Sequence, residues 1–217
     1  MIELKYKNWK EITIEIYDKI RQLEADITTQ EEALELNVKL LSILCEVSED
    51  EIINLPLTEF TILVGKTEFL KNMPKLGIET KYRIGDRVFD VQTNLRAMTT
   101  AQFLDFQTLV KDKDKNLKNL LACFMLPKNK KYGEDYDIIE VAEYLYKNMS
   151  IATARSVMFF FTLQYQTLQA TILNCSIKEL KKTLKREKNE ETKKKLDEAL
   201  QQMTQLKTLI KNGVGFI

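Results

Sequence analysis

The sequence predicts a mainly α-helical protein: a multi-helix bundle with one β-hairpin insert and a C-terminal coiled-coil-like helical extension. Three observations carry that reading. Only six Gly and three Pro interrupt 217 residues, too few for a many-turned β-sandwich. Apolar residues recur in steps of three and four along most of the chain, the spacing of a helix face. Ser or Thr followed three residues later by Glu, the capping-box spacing, precedes two of the apolar runs. With 44% apolar and 30% charged residues, the composition is that of a folded chain rather than a disordered one.

The elements follow in order. Trp9 and Ile12 lead into Thr13, which caps a helix carrying Ile16, Tyr17, Ile20 and Leu23. In Thr28-Thr29-Gln30-Glu31-Glu32, either Thr28 with Glu31 or Thr29 with Glu32 makes a capping box. The helix it opens carries Leu34, Val38, Leu41 and Cys45 on one stripe, broadened by Leu40, Ile43 and Leu44. Ser48 and Glu51 repeat the signature before a short helix that Pro56 stops. Thr58 is the expected cap of the next, with Phe60, Leu63, Val64, Phe69 and Leu70 inward and Pro74 as its end. Residues 1–75 thus read as an N-terminal helical unit.

The texture then changes. Ile78, Tyr82 and Ile84 precede Gly85-Asp86, and Val88, Phe89 and Val91 follow it, so residues 76–98 read as a hairpin insert. Residues 99–175 read as a central helical layer. Thr99 or Thr100 caps a helix with Phe103, Leu104, Phe106, Leu109 and Val110. A charged loop over 111–115 leads to a helix with Leu117, Leu120, Leu121 and Phe124 that runs to Pro127. After the polar loop KNKKYGED, a helix over 137–147 carries Ile138, Val141, Ala142 and Leu145, and Ser150 caps a long apolar helix to about Asn174.

Residues 176–217 form a basic C-terminal extension. Leu196, Ala199, Met203, Leu206 and Ile210 alternate in steps of three and four, a short coiled-coil seam. Ile177, Leu180 and Leu184 are out of phase with it. KREKNEETKKK between them is either a solvated helix or the bend of a helical hairpin; Asn189 at its middle and the phase change favour the bend.

Composition narrows the chemistry. Histidine is absent, which removes Ser-His-Asp and Cys-His catalysis and leaves only thiolates and carboxylates for zinc. Cys45, Cys123 and Cys175 lie far apart inside apolar helical stretches and read as buried cytosolic thiols, not a disulfide framework. Asp112, Asp114 and Asn116 start a calcium-loop pattern, but Leu117 stands where the loop needs Gly and Cys123 where it needs Glu, so a helix-capping loop is expected. No phosphate-binding glycine motif occurs; Gly213 and Gly215 form a terminal GxG with no helix after it. The expectation is a non-enzyme with no cofactor and no metal.

The N-terminus has no apolar run of signal-peptide length, and the most apolar window, Val157 to Leu173, is broken by Gln164, Gln166 and Gln169, so no membrane span is expected. Residues 1–100 carry 13 basic and 18 acidic side chains, and residues 101–217 carry 20 and 14. Such polarity suits head-to-tail association or an acidic partner. The basic cluster Lys178, Lys181, Lys182, Lys185, Arg186 and Lys188 is interleaved with Glu179, Glu187, Glu190 and Glu191 and lacks aromatic stacking platforms, so it reads as a solvated face rather than a nucleic-acid site.

The candidate partner-binding residues are Phe103, Phe106, Phe159, Phe160, Phe161, Leu196, Met203, Leu206, Ile210 and Phe216. Three consecutive Phe span about 200° of a helix, so burying all of them needs cover on several sides. That cover comes either from the domain itself or from a partner. The apolar tail Val214, Phe216 and Ile217 is either tucked onto the core or offered to a groove.

Several stretches resemble small helical proteins of tailed bacteriophages: Trp9 and its following helix, LLSILCEVSEDEIINLPLTEF over 40–60, FLDFQTLVKD over 103–112, LLACFMLP over 120–127, and the FFF helix. The resemblance spans roughly residues 9–165 and rests on order and texture. It is to tail assembly chaperones and related morphogenesis proteins, especially of phages of Bacteroides-type hosts. It implies a non-enzymatic virion-assembly protein, present in the host cytoplasm during assembly, that coats the hydrophobic tape-measure protein while tube subunits polymerise. The basic extension departs from that picture and suits a structural component kept in the virion, such as a neck, ring or packaged cargo protein. Tail, neck and portal-region subunits, and further copies of the chain, are the partners expected.

Overall fold

A computed structural model describes residues 2–23, 29–73, 77–112 and 116–211. Helix takes up about 68% of the described residues, so the mainly α fold class holds. The chain divides into two units: Met1–Thr93 with Ala97–Met158, and Asn94–Arg96 with Phe159–Ile217.

The first unit begins with an extended segment locked at several points. The Trp9 indole donates to the carbonyls of Phe69 (2.7 Å) and Asn72 (3.0 Å). Thr13 and Ser150 form an antiparallel bridge, flanked by bonds from Ile14 N–H to Met149 O and from Ile151 N–H to Ile12 O. Thr13 then caps α1 (Ile14–Arg21) as the sequence predicts. Of the two candidate capping boxes ahead of α2 (Gln30–Cys45), Thr29 with Glu32 is formed. Val38, Leu41, Leu44 and Cys45 are buried, whereas Leu34, expected on the same stripe, is 53% exposed. It lies in the first turns of α2, before that helix reaches the core.

Glu46 ends α2 in the left-handed region (φ 54°), where a non-glycine residue needs compensation. Its carboxylate receives hydrogen bonds from Lys5 Nζ and the Tyr6 hydroxyl, and both Lys5 N–H and Tyr6 N–H donate to Leu44 O. Ser48 and Glu51 build the predicted capping box of α3 (Glu49–Ile53). Helix α4 (Leu57–Lys66) starts after Pro56 with no side-chain cap, so Thr58 is not its N-cap. Proline's fixed φ already suits a helix start. A 3-10 turn over Thr67–Lys71 follows; Pro74 lies outside the described residues.

The hairpin β1 (Lys81–Ile84) and β2 (Arg87–Val91) forms in the predicted place, and it has a third strand that periodicity did not predict. The helix expected to run to Pro127 stops earlier: α6 is Leu117–Phe124, and β3 (Met125–Pro127) pairs antiparallel with β2. The ladder shows why Pro127 is tolerated. Lys128 N–H donates to Val88 O and Gln92 N–H to Phe124 O, so the bonded positions alternate and Pro127 falls on a non-bonded pair with Phe89. Its missing N–H would have pointed away from β2.

Thr99 caps α5 (Thr100–Leu109). Asn116 sits at the N-terminus of α6, but its amide donates to Leu109 O instead of capping the helix; residues 113–115, including Asp114, lie outside the description. Asp137 caps α7 (Ile138–Asn148). The core of this unit forms where α6 meets α7, with α1, α2 and α5 beside them. Ile12, Ile14, Leu41, Leu44, Phe89, Leu120, Leu121, Phe124 and Leu145 are wholly buried there.

Helix α8 (Ile151–Arg186) opens with the Ser150 hydroxyl accepting from Thr153 N–H, as predicted. It runs well past Asn174, through its own change of composition. Residues 187–189 break the helix before α9 (Glu190–Lys211). Asn189 Oδ1 accepts from Thr192 N–H at 3.0 Å, an N-cap for α9, so the extension is two helices and not one.

Candidate interaction surface

The second unit offers apolar side chains along two helices without enclosing them. Leu95, Phe161 and Tyr165 are its buried side chains, and no described residue from Gln166 to Thr208 is buried. Ile177, Leu180 and Leu184 on α8 are half-buried. So are Leu196, Ala199 and Met203 of the predicted seam on α9, with Leu200 beside them. Leu206 and Ile210 continue the seam within α9, but their side chains, like all of Phe216, lie outside the described residues.

The three phenylalanines have three different fates. Phe161 is 1% exposed, Phe160 is half-buried with its ring 5.3 Å from that of Phe161 and nearly perpendicular to it, and Phe159 is 68% exposed. Leu163, one turn on from Phe159, is 47% exposed. Residues four apart share a helix face, so Phe159 and Leu163 form an apolar step on the surface. In the first unit, Phe106 is buried with its ring 5.1 Å from that of Phe124, and Phe103 is half-buried. Of the predicted aromatic set, Phe106 and Phe161 are therefore not surface groups, while Phe159 is.

The charged part of this unit is solvated. Lys178, Lys181, Lys182, Lys185, Arg186 and Lys188 are all exposed, and Lys182 pairs with Glu179 (2.7 Å) one turn away. Lys195 pairs with Glu191 (2.7 Å) and Lys193 with Glu190 (3.6 Å) along α9. Exposed pairs of this kind are screened by solvent and contribute little. They hold helices rather than mark a site. Cys175, expected to be buried, is exposed. It lies in a part of α8 where no residue is buried, so an apolar stretch of sequence has no interior to enter.

Two polar clusters of the first unit were not legible in the sequence. In one, buried Gln102 donates from Nε2 to Cys123 O (2.5 Å), the Tyr132 hydroxyl donates to Asp105 Oδ2 (2.8 Å), and Cys123 Sγ lies 3.6 Å from that hydroxyl. Burial pushes the Cys123 thiol up to about 11, so at neutral pH it is a thiol and not a nucleophilic thiolate. The cluster ties α5, α6 and the 128–137 loop together. In the other, the Tyr144 hydroxyl accepts from Asp86 N–H (3.2 Å) and sits 2.5 Å from Asp86 Oδ1 and 2.9 Å from Ile84 O. Arg87 lies 4.2 Å over the same ring and pairs with Glu140 at 2.8 Å. Both clusters join elements distant in sequence, which no local motif signals.

Beside β1 an open cleft of about 480 Å³ is lined by Lys10, by residues 77–79 with Glu79 among them, by Tyr82 and Arg83, and by Ser150 and Thr153 at the start of α8. No group of three or more potential metal ligands occurs among the described residues. None of their helices is long and apolar enough to cross a membrane. Comparison with known proteins finds no matching family model, no matching curated protein and no matching solved structure.

Proposed function

We propose that this chain is a non-enzymatic assembly protein that works by binding other proteins along its C-terminal helices, in the manner of a bacteriophage tail assembly chaperone. The observation that carries the reading is the long helical pair whose apolar stripes stay half-buried, with Phe159 and Leu163 presented on the surface of α8. A helix face of this kind binds an amphipathic or apolar helix by giving both a shared dry seam. A tape-measure protein, long, helical and hydrophobic, is the client with that chemistry. The phage context rests on the resemblance over residues 9–165.

The spacing of Leu196, Ala199 and Met203, carried on in sequence by Leu206 and Ile210, favours a second reading. A seam of that form also joins copies of one chain, as in a ring or neck component kept in the particle.

Quantitative mass spectrometry of purified particles, beside the lysate in which they assemble, separates the two. The chaperone reading expects abundance in the lysate, absence from particles, and co-purification with a long helical client. A fixed copy number per particle overturns it in favour of the structural component. In the same lysate, Phe159→Ser with Leu163→Ser weakens client capture by on the order of tenfold with helicity unchanged. Capture as strong as wild type removes α8 from the binding surface.

A further inference from the structure

The two edges of the small sheet are not alike. Its strand order is β1-β2-β3, so β1 and β3 are the edges. At β3 the outward N–H groups are already disposed of: Met125 N–H donates to Leu121 O at the end of α6, and Pro127 has no N–H, while its carbonyl accepts from Lys130 N–H. At β1 they are not. Val91 N–H donates to Thr80 O, which fixes the ladder phase: Tyr82 and Ile84 bond to β2, and the backbone N–H and C=O of Lys81 and Arg83 point outward. The described residues supply no backbone partner for those four groups.

The side chains at these positions state what the edge accepts. Lys81 and Arg83 stand on one face of β1, with Tyr82 and Ile84 on the other. Arg83 and Lys10 line the adjoining cleft with a single carboxylate, Glu79; neither cation has an ion pair among the described residues, and Lys81 reaches Asp90 only at 3.6 Å. A second copy is a poor occupant, because antiparallel pairing of β1 with itself sets cations against cations, the usual device against edge-to-edge association. An acidic strand meets the reverse situation.

We infer that the β1 edge, with the cleft beside it, is a strand-addition site for an extended peptide of a partner protein in which acidic and apolar residues alternate. Residues opposite Lys81 and Arg83 lie on their face and are acidic; the residue between lies on the face of Tyr82 and Ile84 and is apolar. The four outward backbone groups supply the hydrogen bonds and the cations supply the selection. This site lies wholly in the first unit and is independent of the helical surface proposed above.

The test is fluorescence anisotropy with the full-length chain and a labelled peptide of alternating Glu and Val. Peptides with the same residues in blocked order, and with Lys for Glu, are the comparisons. The alternating peptide is expected to bind saturably, and more weakly as salt rises. Arg83→Pro removes one outward N–H while leaving the inward bonds of Tyr82 and Ile84, and Arg83→Glu reverses the charge with the backbone intact. Each is expected to weaken binding by on the order of tenfold, with an unchanged circular dichroism spectrum. The Arg83→Glu variant keeps the test alive if Arg83→Pro does not fold. Equal binding of all three peptides overturns the proposal. So does binding indifferent to Arg83 but lost in Lys181→Glu with Lys185→Glu, which would put the peptide on the basic helices. A concentration-dependent dimer abolished by Arg83→Glu would make a second copy the occupant and would equally overturn it.

Discussion

Two single residues show how finely the first unit is fitted. Gly85 takes φ +56° at the first central position of the hairpin turn, and a Cβ there would lie 2.5 Å from the Tyr144 hydroxyl. Gly85→Ala therefore meets both backbone strain and a clash, and is expected to lower unfolding stability by about 1–3 kcal/mol. Combining it with Tyr144→Phe removes the clashing oxygen, so the two costs should add to less than their sum in a double-mutant cycle by denaturant titration. A strictly additive result would remove Tyr144 as the neighbour that decides this turn. Glu46 gives the pH dependence: hydrogen bonds from Lys5 and Tyr6 hold its carboxyl below the ordinary range. A carboxyl depressed in the folded state contributes stability above its unfolded value, about 4.3, and loses it as pH falls through the folded value. Glu46→Gln should accordingly melt lower than wild type at pH 7, with the gap narrowing as the pH drops below about 4. A gap constant across that range would contradict the assignment. The turn glycine was legible from Gly85-Asp86 alone; the partners of Glu46 and Gly85 were not, because they lie 40 or more residues away in sequence.

At the scale of elements, local chemistry placed most helix starts. Thr13, Thr29, Ser48, Thr99 and Ser150 all act where their spacing put them. What failed was the end of α6. The run LLACFMLP is apolar throughout, and an apolar run carries no period to separate a buried helix from a buried strand. Its last three residues are drawn into pairing with β2, a tertiary contact with no local signal. The end of α8 was missed for the opposite reason: the change of composition after Asn174 is a change of surroundings, and the helix passes through it. Asn189, by contrast, was readable as the point of the break, and it caps α9. Asn189→Ala should cost α9 about 1 kcal/mol, seen as a loss of helical signal on mild heating that leaves the cooperative unfolding of the first unit in place. No change in that early loss would mean that α9 is held by something other than its cap.

Across the whole molecule, charge and enclosure divide along the same line. The first unit carries 21 basic and 26 acidic side chains, the second 12 and 6. The first encloses a core around Leu41, Leu44, Leu120 and Leu121, although Leu57, Ile62 and Ile139 on its surface stay exposed, whereas from Gln166 onward the second encloses no apolar residue that is described. The polarity was visible in the sequence. The difference in enclosure was not, since Leu, Met and Ile at helical spacing look alike whether a fold or a partner covers them. The proposed function turns on that distinction: in it, residues 166–211 are a seam that a partner completes, while the first unit has a core of its own. Amide hydrogen exchange on the isolated full-length chain tests it directly. Amides of α8 beyond Tyr165 and of α9 are expected to exchange orders of magnitude faster than those of α6 and α7, because local opening there exposes little buried surface. Protection of α9 equal to that of α6 would mean that the C-terminal helices are already complete without a partner, and would contradict the account.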